Sequence, residues 1–279
     1  MIDLHSHLLP GIDDGATDVA MSLAMARMAV ADGIATMACT PHIYPGMYDN
    51  HGDGIRAAVI SLQAALDDDG IALRLVDGAD VHLDPGLLDG LRDGRVPTIA
   101  GSRYLLLEPP HHVAPPRFEE SVFGLMAAGY TPVITHPERL SWVETHYDLF
   151  VRLARRGAWM QVTSGALTGR FGRRGRYWAE RFTSEGHTMI LATDAHHPQR
   201  RPPLLAEGRE AAAALVGSEE ARHMVETRPA GIVANTAPDA LPAALAAVRQ
   251  GVVREAGAGV DAARGPGALR RLFGALRGR

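Results

Sequence analysis

Two histidines two residues apart, His5 and His7, open this chain, and an acidic pair follows in the turn Leu9-Pro10-Gly11-Ile12-Asp13-Asp14-Gly15. On an extended segment residues i and i+2 point to one face, so both imidazoles can reach one ion. Similar polar clusters recur along the chain at His42, Asp80, Glu108, His136 and the Asp194-Ala195-His196 triplet. Metal ligation is the chemistry that such a recurrence of imidazoles and carboxylates points to. A single cysteine, Cys39, excludes an intrachain disulfide framework and any multi-cysteine zinc or iron–sulfur site. A thiol-based phosphatase would need an arginine six residues after its cysteine, where this chain has Pro45. Cys39 therefore reads as a packing residue at the end of an apolar strand.

Elements that deliver these residues to one place follow from the hydrophobic pattern. Short β-rich runs at 2–5, 34–40, 72–80, 104–108, 132–136, 158–163 and 188–194 predict strands. Helical spacing predicts helices over 19–32, 54–69, 117–128, 147–156 and 177–185, with Gly33, Gly70, Gly129, Gly157 and Gly186 placed as C-terminal stops. Such βα alternation implies a parallel sheet. The polar clusters fall at the carboxyl ends of at least six strands, and a ring of strands makes those ends converge. The expected fold is α/β, a seven-stranded TIM-like barrel.

Composition narrows the function. The 279 residues are 46% hydrophobic and carry a net charge of −4, which suits one large core and argues against a nucleic-acid footprint over the whole surface. All 28 basic residues are arginine, so a P-loop lysine, a Schiff-base lysine and a carbamylated lysine between two metals are all excluded. No apolar run reaches the roughly 18 residues of a membrane span and no signal peptide is visible, so no transmembrane segment and a cytoplasmic location are expected. The main domain is expected over residues 1–240. Residues 241–279 form an Ala/Gly/Arg-rich basic tail, whose segment from Arg264 to Arg279 holds five arginines around Leu269, Leu272, Phe273 and Leu276. That tail reads as solvated chain, with docking to a membrane surface or a partner as the alternative.

The motifs His5-x-His7, Pro10-Gly11-Ile12-Asp13-Asp14-Gly15, Thr40-Pro41-His42, Thr135-His136-Pro137-Glu138-Arg139 and Thr193-Asp194-Ala195-His196 occur in this order. In that series the chain resembles the polymerase-and-histidinol-phosphatase (PHP) superfamily, and most closely its manganese-dependent protein-tyrosine phosphatases of bacterial capsule and exopolysaccharide synthesis. The resemblance covers roughly residues 1–235. It implies a distorted seven-stranded βα barrel with three metal ions. His5, His7 and Asp194 would hold the first; Asp80 would bridge it to a second, bound also by Glu108 and His136; Asp14, His42 and His196 would hold the third. Imidazole and carboxylate donors suit Mn²⁺, Fe²⁺ or Zn²⁺, and manganese is the ion the resemblance implies. The relatives usually carry glutamate at the bridging position, so Asp80 is one methylene shorter. His82, on the same strand face, is either a substitute ligand or a supporting histidine.

The resemblance also implies a phosphomonoester hydrolase that acts on phosphotyrosine through a metal-activated hydroxide. Paired metals about 3.5–4 Å apart lower the pKa of a bridging water towards neutrality. Arg139 and Arg201 match the family's phosphate-binding arginines, whose planar forks hold phosphoryl oxygens in pairs. His42 or a metal-bound water would protonate the leaving group. Asp13 reads as a turn former beside Asp14, and His111 and His112 as exposed loop histidines near where substrate enters. The expected partner is a phosphotyrosine protein, a bacterial tyrosine kinase with a tyrosine-rich tail, and an oligomer is compatible with the sequence. Alternatives are a small-molecule phosphatase of the histidinol-phosphate type, a PHP nuclease, and, in a different class, a non-catalytic metal-binding scaffold.

Overall fold

Parallel pairing unites every neighbouring pair of named strands in the computed structural model, which describes residues 1–251. The arginine-rich segment Arg264 to Arg279 lies outside the described residues. One sheet has the order β1 (Ile2–Asp3), β2 (Thr36–Cys39), β4 (Arg74–Asp77). The other runs β3 (His42–Ile43), β5 (Asp80–His82), β6 (Tyr104–Glu108), β7 (Thr131–Thr135), β8 (Trp159–Thr163), β9 (Thr188–Ala192).

The strand count therefore departs from the expected seven. Pro41 has no N–H to donate, so the ladder of β2 stops at Cys39 and resumes as β3 at His42. Gly78 and Ala79 interrupt the neighbouring run between β4 and β5. Beyond the ends of the two outer strands, β1 and β9, further bonds cross from one to the other. Ser6 bridges Ala195 in parallel, Asp194 N–H donates to His5 O at 2.9 Å, and His7 N–H donates to Ala195 O at 2.8 Å. Buried Asp3 adds to this seam by accepting from the backbone N–H of Thr193 at 3.1 Å and from its hydroxyl.

Helices α1 (Val19–Ala31), α2 (Gly52–Asp68), α3 (Leu87–Arg92), α4 (Phe118–Ala127), α5 (Val143–Arg155), α6 (Ser164–Leu167), α7 (Gly172–Ser184), α8 (Ala206–Val216), α9 (Ser218–Arg222), α10 (Arg228–Val233) and α11 (Leu245–Arg249) surround the strands. Asp18 caps α1 by accepting from Met21 N–H at 2.9 Å. Past the end of α5 the chain turns at Gly157 with φ 106°, a conformation that a Cβ would penalise.

Two apolar clusters result. The larger lies between strands and helices, with Leu105, Leu107, Met160, Phe150 and Phe182 among its members. The smaller contains Leu4, Ala38, Val76, Leu106, Val133, Trp159 and Ile190, drawn from almost every strand run. Side-chain alternation then carries each run from this apolar plug to a polar residue two positions on: Leu106 to Glu108, Val133 to Thr135, Trp159 to Gln161. Each fully buried Leu or Val there contributes roughly 1.5–3 kcal/mol, a rigid floor for the polar residues above it.

Past residue 240 the chain stays in contact with this body. Leu241 is buried against Gly231, Arg228 donates to Pro242 O (2.9 Å) and Ala243 O (2.7 Å), and Ala246 N–H donates to Gly186 O (3.0 Å). Residues on both sides of position 240 therefore pack against the same body. No helix among the described residues is long and apolar enough to cross a membrane.

Candidate metal centre

The turn after β1 is shaped by Gly15. A Cβ there would overlap the carbonyl oxygen and Cβ of His7, so only glycine lets residues 11–16 fold back onto the histidine pair. Ala16 N–H then donates to His7 O at 3.0 Å and Gly11 N–H to Ala16 O at 2.8 Å, which fixes Asp13 and Asp14 beside the imidazoles.

The hydrogen-bond network assigns the tautomers. His5 Nδ1 donates to Gln161 Oε1 at 2.9 Å and His7 Nδ1 donates to Asp13 Oδ2 at 2.7 Å, so both Nε2 atoms carry lone pairs. Those atoms are 3.2 Å apart, and Asp194 Oδ1 lies 3.2 Å from one and 3.4 Å from the other. Three lone pairs aimed at one point repel unless a cation, proton or metal ion, sits among them.

Further groups continue the cluster. Asp80 Oδ2 lies 3.4 Å from His5 Nε2, 3.8 Å from His136 Nε2 and 3.7 Å from His42 Nδ1. Glu108 is 3.7 Å from His136 Nε2 and 3.4 Å from His42 Nδ1. Asp14 Oδ1 faces His42 Nε2 at 3.5 Å and His196 Nε2 at 3.3 Å. Two ligands each about 2.1 Å from a shared ion stand roughly 3–3.5 Å apart, so these spacings suit shared ions. Among the described residues Asp80 Oδ2, His42 Nδ1 and His196 Nε2 are buried with no hydrogen-bond partner, which a cation would satisfy.

Electrostatics point the same way. Burial opposes charge on His5, yet the Asp194 and Asp80 carboxylates outweigh it and raise its pKa to about 9. His42 likewise, despite burial, is raised to about 10 by Glu108 and Asp80. The site therefore carries a surplus of negative charge that seeks a cation. Burial, helped by Arg139, pulls His136 down to about 4, and burial with His7 does the same to His196, so both stay neutral with a lone pair free. Asp194 is buried too, but Arg201, His5 and Arg139 hold its carboxyl well below the usual range.

Arg139 and Arg201 both donate to Asp194 Oδ2, converging on one point at the edge of the cluster. Phe171 supports both forks, its ring centroid 4.7 Å from the guanidinium carbon of Arg139 and 6.0 Å from that of Arg201. His136 (φ 36°) and Asp194 (φ 51°) occupy left-handed backbone conformations that cost roughly 1–3 kcal/mol each. Both of these strained residues carry lone pairs aimed into the cluster.

All eleven residues singled out from sequence thus meet at one end of the strands. Three others join them. Asp13 is more than a turn former, because its side chain is fully buried and accepts from His7 Nδ1, from Gly15 N–H (2.9 Å) and from His42 N–H (3.1 Å). Gln161, a lone polar residue in the apolar run of β8, orients His5. His111 reaches Glu108, whereas His82 stacks flat on Tyr44 with centroids 3.9 Å apart. Cys39 is buried, and burial pushes its thiol pKa up, as suits a packing role.

Comparison with known proteins agrees with this geometry. Tyrosine-protein phosphatase YwqE of Bacillus subtilis (strain 168) is 35% identical over 201 residues, which cover 72% of this chain and 79% of that protein. Tyrosine-protein phosphatase CpsB of Streptococcus pneumoniae is 25% identical over 238 residues, 84% of this chain and 98% of that one. A solved structure from the pair YwqE of Bacillus subtilis and CpsB of Streptococcus pneumoniae, described as metal-dependent tyrosine phosphatases, superposes with a TM-score of 0.82 at 32% identity, covering 85% of this chain and 96% of that one. The profile of the family "Capsular polysaccharide synthesis, CpsB/CapC" matches residues 1–234, and this chain belongs to that family.

Proposed function

We propose that this protein is a metal-dependent protein-tyrosine phosphatase that removes phosphate from phosphotyrosine in the control of capsule or exopolysaccharide synthesis. The observation that carries the reading is the convergence of the His5, His7 and Asp194 lone pairs within 3.4 Å, with two guanidiniums on the same carboxylate. The relatives YwqE and CpsB, named tyrosine-protein phosphatases, supply the substrate class.

In this reading His5, His7 and Asp194 would hold one ion, Asp80, Glu108 and His136 a second, and Asp14, His42 and His196 a third. Mn²⁺ is the proposed metal, with Fe²⁺ and Zn²⁺ compatible with the same donors. Bound ions supply Lewis acidity towards phosphoryl oxygens and a water that is nucleophilic at neutral pH. The residues do the rest. Arg139 and Arg201 leave Asp194 to clamp the phosphoryl oxygens and offset the charge that builds in the transition state. The departing tyrosine oxygen would take its proton from water or from the His42 ring nitrogen not engaged by the ion. Asp13 and Gln161 keep His7 and His5 in the ligand tautomer.

The same proposal takes the interrupted runs β2–β3 and β4–β5 as single staves, making seven in all, and the seam between β1 and β9 as closure of a distorted barrel. A cytoplasmic location and a tyrosine kinase with a tyrosine-rich tail as the partner complete it. The test is hydrolysis of a phosphotyrosyl peptide by chelator-stripped protein with and without Mn²⁺, beside His136→Ala. Activity restored by Mn²⁺ and absent in the variant is expected. No turnover by protein holding stoichiometric metal overturns the assignment, and turnover of histidinol phosphate instead identifies a small-molecule phosphatase.

A further inference from the structure

The loop after β6 carries a histidine to the outer side of the Glu108 carboxylate. His111 Nε2 lies 3.2 Å from Glu108 Oε1, and its ring centroid is 4.9 Å from that of His136. Ligand atoms of Glu108, His111 and His136 all fall within 4.8 Å of one another. The loop holds His111 in place. Ser141 N–H donates to His111 O at 2.9 Å, Ser141 Oγ donates to His112 O at 3.1 Å, and the indole N–H of buried Trp142 donates to Pro110 O at 2.8 Å. A histidine so anchored has lost most of its freedom before any ion arrives.

Asp80 explains why a further donor is needed there. Its Oδ1 accepts from the Thr135 hydroxyl at 3.3 Å, so only Oδ2 is left to serve His5 on one side and His136 on the other. Glu108, His136 and that one shared oxygen make a sparse set for an ion. His82 is poorly placed to complete it, since it is held flat against Tyr44 with Nδ1 4.0 Å from Glu108.

We propose that His111 is an additional protein ligand of the ion held by Glu108 and His136. This rests on the metallophosphatase reading, and it makes that site a two-imidazole, two-carboxylate set. The experiment titrates chelator-stripped protein with Mn²⁺ by equilibrium dialysis and elemental analysis, and records visible absorption of the Co²⁺-loaded form, for wild type, His111→Ala, His111→Asn, His112→Ala and Glu108→Ala. Loss of one ion equivalent together with an altered Co²⁺ spectrum is expected for both His111 variants; weaker affinity with an unchanged spectrum assigns His111 to orienting Glu108 and overturns the ligand role. Groups that merely orient ligands already cost roughly 10- to 100-fold in affinity when removed. His112→Ala, changed in the exposed neighbour, should match wild type. If Glu108→Ala loses an ion while both His111 variants match wild type, the ligand role is overturned and the function stands. If Glu108→Ala loses none, or wild type binds none, the metal site and the role of His111 fall together.

Discussion

Asp13 sets the terms at the scale of single residues. It is adjacent to a proposed ligand, yet its work is to hold His7 by the ring, His42 by the backbone and its own turn through Gly15. Asp13→Ala should leave the far-ultraviolet circular dichroism unchanged and weaken Mn²⁺ binding by roughly 10- to 100-fold, read by titration of stripped protein. Arg139→Lys and Arg201→Lys keep the charge but lose the fork, and each should lower kcat/KM on a phosphotyrosyl peptide by roughly 10²-fold, with metal content unchanged. The proposed ligands were legible in sequence because most sit in short motifs, with Asp80 and Glu108 at the ends of predicted strands. Asp13 and Gln161 were not, because their meaning lies in remote partners: nothing around Gln161 in the chain announces a bond to His5, 156 positions away.

At the scale of elements, α1, α2, α4, α5, α7 and most strands follow from periodicity, whereas α3, α6, α8, α9, α10 and α11 were not expected from it, and Pro41 is a visible breaker. What periodicity could not reveal is that the chain resumes its direction beyond Pro41 and Gly78-Ala79, because that depends on neighbours across the sheet, such as the Asp80 N–H bonding to Pro41 O at 3.1 Å. The turn after β1 is the element under most steric constraint. Gly15→Ala should destabilise the fold by about 1–3 kcal/mol in urea unfolding and displace the histidine pair, lowering metal affinity as well. His187, at the start of β9, gives the acid response of an element. Burial, with Arg155 nearby, lowers its pKa below the ordinary value near 6.5, against a smaller opposing pull from Glu185. The unfolded chain therefore takes up a proton first as pH falls through 6.5, and stability present above that pH is lost below it. His187→Phe should flatten the fall in urea midpoint between pH 7.5 and 5 relative to wild type.

The whole molecule depends on how its ends are tied in. Arg228 is fully buried and paired with Glu220 through two bonds of 2.8 and 3.1 Å, while its other donors reach Met189, Pro242 and Ala243. Arg228→Ala leaves a buried carboxylate unpaired and should cost about 3–5 kcal/mol, measured by urea unfolding. A chain cut after residue 240 loses the Pro242 and Ala243 acceptors and should melt lower than one cut after residue 251, a difference that composition did not foreshadow because alanine-rich sequence reads alike whether packed or not. The seam at the other terminus has a consequence for how the protein is made. His5, Ser6 and His7 leave the ribosome early relative to Asp194 and Ala195, their neighbours across the seam, which follow about 190 residues later. At ordinary translation speed that is a wait of roughly 10 to 40 s. During biosynthesis β1 must stay unaggregated and its histidine pair must be kept from capturing stray ions until the residues across the seam have been made.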